Sequence, residues 1–287
     1  MFYRVRCERA PVADDKVRSH GEISRMSPRQ RVQRTRAVIL RRRNYGEADR
    51  ILTVYTPQLG KLQLIAKGIR KTSSRKAGHL ELFTHTALLV AQARTWGIIT
   101  EAETIESFRF MRQDLDSVGR TSYVSELIDS FTQADDENQP LWDLMLLVLR
   151  VIDQYAQAPA KSNPQVLLRW FELHLLNLVG FQPELFHCLN CGLPLQPVLN
   201  YLSLENGGIL CPDCGPGPGD VEPIEPDVLK VLRHLQRTPW EQVADLVVRP
   251  SVMGRVENIL YRYLIVLLEH QLKSTEFMRR LRANKQP

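Results

Sequence analysis

"TRAVILRRRNYGEADRILTVYTPQLGKLQLIAKGIRK", residues 35–71, alternates short runs of Val, Ile, Leu and Thr with charged and turn-forming residues. "TRAVILRR", "RILTVYTP" and "KLQLIAKG" have the length and composition of strands, and Pro57 and Gly60 in "TPQLGK" mark a tight hairpin between the second and third. Two further runs follow, "HTALLVAQA" and "IITEAETIESF". Five short strands in close succession specify a small closed barrel, most commonly an OB-fold; the pattern alone also admits an SH3-like barrel.

Working outward, residues 1–33 show neither helical nor strand periodicity and are rich in Arg, Ser, Asp and Pro, so they are expected to form a flexible basic arm. Met26 offers an alternative start, and Cys7 in this arm receives no role. After Phe110 the apolar period becomes helical. Asp114 is placed to cap a helix carrying Leu115, Val118, Leu127, Ile128 and Phe131, and "DDENQP" breaks the chain before a second helix opened by Pro140. In "SNPQVLLRWFELHLLNLVGF", Asn163 is the expected cap, Pro164 the first turn and Gly180 the stop. Pro226 starts another helix, and Val252, Val256, Ile259, Leu260, Tyr263, Leu264 and Leu267 define the last. The expected organisation is a multi-domain α+β chain: the arm, a barrel at 34–111, and an α-helical domain at 112–287 with a cysteine unit inserted at about 186–217.

Four of the five cysteines form two Cys-x-x-Cys pairs, Cys188/Cys191 and Cys211/Cys214, separated by nineteen residues and each followed by glycine. Two residues between thiolates let one tight turn present both sulfurs to a tetrahedral ion, and the spacing is that of tetra-cysteine zinc sites. The chain lacks a secretory signal and any apolar run long enough to span a membrane, which points to a cytoplasmic protein, where structural disulfides are disfavoured. One zinc ion with a closed, structural coordination shell is the best reading; sets of four cysteines also hold iron–sulfur clusters. His187 is a neighbour of the site. "HLE" at 79–81 formally matches the His-x-Glu of zinc nucleobase deaminases, but neither cysteine pair follows a proline, so that reading fails.

Net charge is +6, steeply divided: residues 1–111 hold 22 Lys and Arg against 10 Asp and Glu, while the remainder nets −6. Without residues 1–36 the front segment is still +6. A basic barrel on an acidic helical half suggests polyanion binding at one end and another task at the other. Arg41, Arg42 and Arg43 close the first strand, and Lys67, Arg70, Lys71, Arg75 and Lys76 follow the third, bordering the face and loops with which such barrels hold oligonucleotides. The glycine- and serine-containing loop between Gly68 and Gly78 is expected to be mobile. Among aromatics able to stack bases, Tyr45 and Trp96 stand beside Tyr55 and Phe83, which suit a core equally well. Trp170 and Phe171 are expected in the core.

The order of barrel, helices and inserted tetra-cysteine unit resembles the RecO family of bacterial DNA-repair proteins. The likeness covers roughly residues 35–275 and is carried by "YGEADRILTVYTPQLGKLQLIAKGIRK" and by "GFQPELFHCLNCG", in which Gly180, Pro183, Leu185, Cys188, Cys191 and Gly192 meet the family's element. The resemblance implies a recombination mediator without catalytic turnover. Such a protein binds single- and double-stranded DNA, anneals complementary strands, contacts RecR and the C-terminal tail of the single-stranded-DNA-binding protein, and helps RecA load onto gapped DNA. It implies a cytoplasmic protein, nucleoid-associated when bound to DNA, with the eight barrel cations as DNA contacts. A zinc-ribbon RNA-binding or transcription-associated factor and a metal-dependent nuclease are the alternatives; for the latter, Asp114–Asp116 and Asp135–Glu137 look like a helix cap and a loop.

Overall fold

The computed structural model describes residues 32–93, 96–158, 163–215 and 221–283 of the 287-residue chain. Most of the expected arm, with Cys7 and Met26, lies outside the described residues. Val32 and Gln33 already belong to the first strand, paired with Ala91 and Val90.

Five strands close a barrel in the order β1(Val32–Tyr45), β2(Asp49–Thr56), β3(Gly60–Ala66), β5(Gly97–Glu106), β4(His85–Ala91), the arrangement of an OB-fold. The single long strand β1 makes closure possible: Val32–Val38 runs along β4, and Val38–Tyr45 runs along β2. At the parallel seam Leu64 pairs with Gly97, where a Cβ would lie 2.6 Å from Val90 Cγ1 and 2.9 Å from Leu64 Cδ2.

The β1–β2 register shifts between Ile39 and Arg41, so Leu40 is an extra residue in a bulge. Before it, Ala37 and Ile39 enter the barrel core with Leu52, Val54, Leu64, Leu88 and Ile99. After it, Arg42 is the residue opposite Leu52, and side-chain alternation places Arg41, Arg43 and Tyr45 on the outer face.

The helical part comprises α1(Leu115–Phe131), α2(Gln139–Gln157), α3(Pro164–Leu178), α4(Pro226–Arg237), α5(Trp240–Val243), α6(Pro250–Leu268) and α7(Lys273–Ala283). Asp114 and Asn163 cap as their positions predict, accepting from Ser117 N at 2.9 Å and Gln165 N at 3.1 Å. Asn138 does the same for α2, accepting from Leu141 N at 3.0 Å. Between α3 and α4 a small sheet, β7(Gly208–Leu210), β6(Asn200–Ser203), β8(Glu222–Ile224), carries the cysteine unit. Among the described residues, no helix is long and apolar enough to cross a membrane.

Barrel and helices share one apolar core: Val38, Leu40, Tyr55 and Phe83 pack continuously with Leu127, Trp142 and Phe171. Polar contacts reinforce this joint. Buried His85 meets Glu106 at 2.8 Å, Arg150 of α2 grips the same carboxylate at 2.8 and 3.0 Å, and the His85 ring sits edge-on to Trp142. The β2–β3 turn docks on the segment after α1, with Lys61 N donating to Gln133 O and Asp135 N to Leu59 O. Gly60 in that turn has φ +59°, and a Cβ there would lie 2.4 Å from Gln133 O.

Candidate metal centre and nucleic-acid interface

The cysteine unit consists of two turns laid side by side. In the first, Cys188 N donates to Leu193 O and Gly192 N to Cys188 O, both at 2.9 Å; in the second, Cys214 N and Gly215 N donate to Cys211 O. A cross-link of Leu189 N to Ile209 O joins the first turn to the strand leading into the second. The two glycines serve different ends. Gly192 has φ +71° in open space, whereas a Cβ on Gly215 would lie 2.1 Å from the Tyr201 ring. Helix α4 holds the approach to the first turn, Arg233 Nε donating to Leu185 O at 2.6 Å and Gln236 Nε2 to Pro183 O at 2.9 Å.

These turns bring the four sulfurs within 4.8 Å of one another. Cys191 Sγ and Cys211 Sγ are 3.9 Å apart, close to the roughly 3.8 Å edge of a tetrahedron with metal–sulfur bonds of about 2.3 Å, and far from a disulfide. Donors already point at the sulfurs: Cys211 N at Cys188 Sγ, 3.3 Å, and Asn190 Nδ2 at Cys214 Sγ, 3.4 Å. Burial raises the Cys188 thiol, but backbone N–H groups of Cys191, Cys211 and Asn190 outweigh it and bring the pKa down to about 6. At Cys214 the Asn190 hydrogen bond lowers the pKa, yet the neighbouring cysteines push it up to about 11. A cation held among these sulfurs would offset the charge that neighbouring thiolates otherwise oppose. Among the described residues these cysteines are the one group of three or more His, Cys, Asp or Glu side chains placed to share an ion. Four thiolates would fill a tetrahedral shell, and His187 stands apart, its Nδ1 3.7 Å from Glu184 Oε1.

The deaminase-like residues are dispersed. His79 Nδ1 contacts Thr104 Oγ1 at 2.9 Å, and Glu81 pairs with Arg42. Asp114 caps α1, and Asp135–Glu137 lie in a loop.

The eight barrel cations divide into two classes. Arg41 reaches Asp129 of α1 at 3.4 Å, Arg42 is ion-paired with Glu81 at the barrel mouth, and half-buried Lys76 donates to Ile99 O at 2.8 Å. Arg43, Lys67, Arg70, Lys71 and Arg75 are exposed and have no ion pair among the described residues. The loop bearing four of these five is more ordered than its composition predicts. Buried Ile69 anchors it, Gly68 N donates to Asp49 Oδ1 at 2.7 Å, Arg70 N donates to Ala48 O at 2.9 Å, and successive turns carry it to a short 3-10 helix at Ala77–Leu80. It thereby lies against the β1–β2 turn, where the Arg70 guanidinium approaches Gly46 O at 3.5 Å. Tyr55 and Phe83 are core residues, as are Trp170 and Phe171; Tyr45 and Trp96 are the aromatics left at the barrel surface.

Nothing in the residue pattern announces a cleft in the helical half. It has a volume of about 730 Å³ and is lined by Tyr123, Arg169, Tyr261, Lys273, Met278 and Arg279 among others. Arg169, almost wholly buried, forms a 2.6 Å ion pair with Glu172, which accepts a 2.6 Å hydrogen bond from Tyr123. Burial raises the Glu172 carboxyl to about 7 despite Arg169, and its Oε2 has no partner among the described residues.

Comparison with known proteins matches both halves. Residues 29–108 match the family model described as Recombination protein O N terminal, and residues 112–276 match Recombination protein O C terminal. A DNA repair protein RecO from Roseiflexus sp. is 38% identical over 250 residues, covering 87% of this chain and 86% of its own. That of Dehalococcoides mccartyi strain 195 is 35% identical over 241 residues, covering 84% and 92%, and that of Desulforamulus reducens 34% over 245, covering 85% and 93%.

Proposed function

This chain belongs to the RecO family of DNA repair proteins, and on that premise we propose that it is a non-catalytic recombination mediator that binds single- and double-stranded DNA through its barrel and anneals complementary strands. The observation that carries this reading is the group of five exposed cations free of ion pairs among the described residues, four of them on one loop pinned to the β1–β2 turn. A fixed cationic surface attracts phosphates without reading sequence, and contact with two strands at once lowers the repulsion that keeps them apart. No bond chemistry is needed for that task.

The four cysteines hold one zinc ion with a structural role: the set is all thiolate and pre-oriented, and it offers no position for substrate. The helical half serves as the protein dock. Its cleft, rimmed by Lys273 and Arg279 over apolar Met278 and Leu272, suits the acidic, apolar C-terminal tail of the single-stranded-DNA-binding protein, and other faces remain for RecR. Together these contacts bring the protein to gapped DNA and open it to RecA, in the cytoplasm at the nucleoid.

The test is annealing of two complementary oligonucleotides coated with the single-stranded-DNA-binding protein, with wild type beside the Arg70→Glu, Lys71→Glu, Arg75→Glu variant. Acceleration by wild type alone is expected; equal acceleration by the folded variant would remove the barrel loop from the DNA site.

A further inference from the structure

We propose that Tyr45 and Trp96 form a stacking site for unpaired nucleobases, and that this site makes the barrel prefer single strands to duplex. The inference rests on the DNA-binding reading above and deepens it. Of the four tryptophans, Trp142, Trp170 and Trp240 are buried in the core at 0%, 4% and 7% exposure, while Trp96 is half-buried, outside either core, in the β4–β5 connection, one residue before Gly97. Tyr45 ends β1 and is 46% exposed. The two rings meet with centroids 5.6 Å apart and planes at 88°. This contact joins the β1–β2 and β4–β5 turns, the two connections that flank the oligonucleotide face of an OB-fold. In an edge-to-face pair one ring turns its edge to the other, so ring surface stays open to a third aromatic group. Two large aromatic side chains held together at the surface, and not drawn into the core, form a platform whose faces suit a flat partner.

The surroundings specify what that partner is. Arg43 precedes Tyr45 by two residues on the same face of β1, the Arg70 guanidinium sits beside Gly46, and exposed Lys67 follows the end of β3 in the same region. A flat group carried on a polyanion satisfies both the rings and the cations, which is the chemistry of a nucleotide in a single strand. In duplex DNA each base face is already covered by its neighbours, so a duplex can use the cations but not the rings. Affinity for phosphate and preference for unpaired bases therefore reside in different side chains of one surface.

The experiment measures binding of the full chain to three fluorescein-labelled oligonucleotides of equal length: a thymidine homopolymer, a duplex, and a homopolymer in which most sites are abasic. Trp96→Ala and Tyr45→Ala are expected to weaken binding of the thymidine strand by about tenfold while leaving the duplex and the abasic strand within about twofold. Trp96→Phe restores the loss because it keeps a ring. In wild type, acrylamide quenching of the partly exposed Trp96 is expected to fall on adding thymidine strand and to stay unchanged with duplex. Equal weakening for all three ligands, or no weakening for any, overturns the stacking site. Wild type that binds none of the three at low salt overturns the DNA-binding reading beneath it, a result distinguishable because no variant is needed to see it.

Discussion

Salt dependence offers the sharpest test of how the barrel cations are divided. Each phosphate neutralised on a single strand contributes about 0.7 to the slope of log affinity against log salt. If Arg43, Lys67, Arg70, Lys71 and Arg75 each contact one phosphate, the slope is about −3.5, and affinity falls roughly a hundredfold between about 50 and 200 mM salt. Replacing Arg70, Lys71 and Arg75 by alanine removes three contacts and should flatten the slope to about −1.4. Arg42→Ala should leave the slope unchanged, because Arg42 is already engaged with Glu81; its cost shows instead as a small loss of thermal stability, since a partly exposed pair of this kind is worth at most about 1 kcal/mol. The assay is fluorescence anisotropy of a labelled homopolymer titrated at several salt concentrations. A triple variant with the wild-type slope, or an Arg42 variant that flattens it as much as Arg70→Ala does, would refute the assignment of phosphate contact by absence of ion pairing.

Three further outcomes are expected. Cys188→Ser, which alters a buried cysteine of the candidate metal set that also packs in the core, should abolish the proposed stoichiometric zinc by atomic absorption and cost several kcal/mol of stability, on the order expected when metal binding and folding are linked, while sparing DNA affinity at temperatures where the protein stays folded. Loss of DNA affinity alone would contradict it. Because burial raises Glu172 from 4.5 to about 7, the folded state holds that proton more tightly than the unfolded one. Its contribution is thus fully present below about pH 4.5 and is lost as pH climbs through about 7, by at most about 3 kcal/mol. Denaturant melts of wild type and Glu172→Gln should accordingly shift in favour of the variant between about pH 5 and pH 8, and a pH-independent difference would count against the shift. Gly60→Ala must accept a left-handed φ and a contact with the Gln133 carbonyl, and should lower stability by about 2 kcal/mol or more in the same melts; a neutral effect would mean the turn relaxes freely.

What the sequence discloses and what it hides follow a physical divide. The five barrel strands, the caps Asp114 and Asn163 and the cysteine set depend on local pattern or spacing, so they can be read in order along the chain. The small sheet beside the cysteines leaves no such trace because its strands are three or four residues long and one contains Pro223. Helix α7 is hidden for another reason. Its sequence is mostly polar, and its cap comes from Glu126, whose carboxylate accepts from Lys273 N and Ser274 N across a long stretch of chain; Met278 then packs against Gly119 of α1. The partners of Arg41, Arg42 and Lys76 are remote in sequence too, so a run of cations that looks uniform along the chain is not uniform in space. Trp96 and Tyr45 are legible as surface aromatics, but their contact is not, since it joins turns far apart in the chain.

The extra residue at Leu40 acts as a parity switch. With a side-chain period of two, drawing Leu40 into a regular ladder opposite Thr53 would slide the second half of β1 by one step relative to β2, carrying Arg41, Arg43 and Tyr45 toward the barrel's oily interior and delivering Arg42 and Asn44 to the outside. No point substitution has that reach. The strand can therefore exchange side chains freely along its outer edge, and even lose Leu40 itself with Arg41 still opposite Thr53, but a ladder that kept Leu40 and lost the bulge would invert the chemistry of the barrel surface.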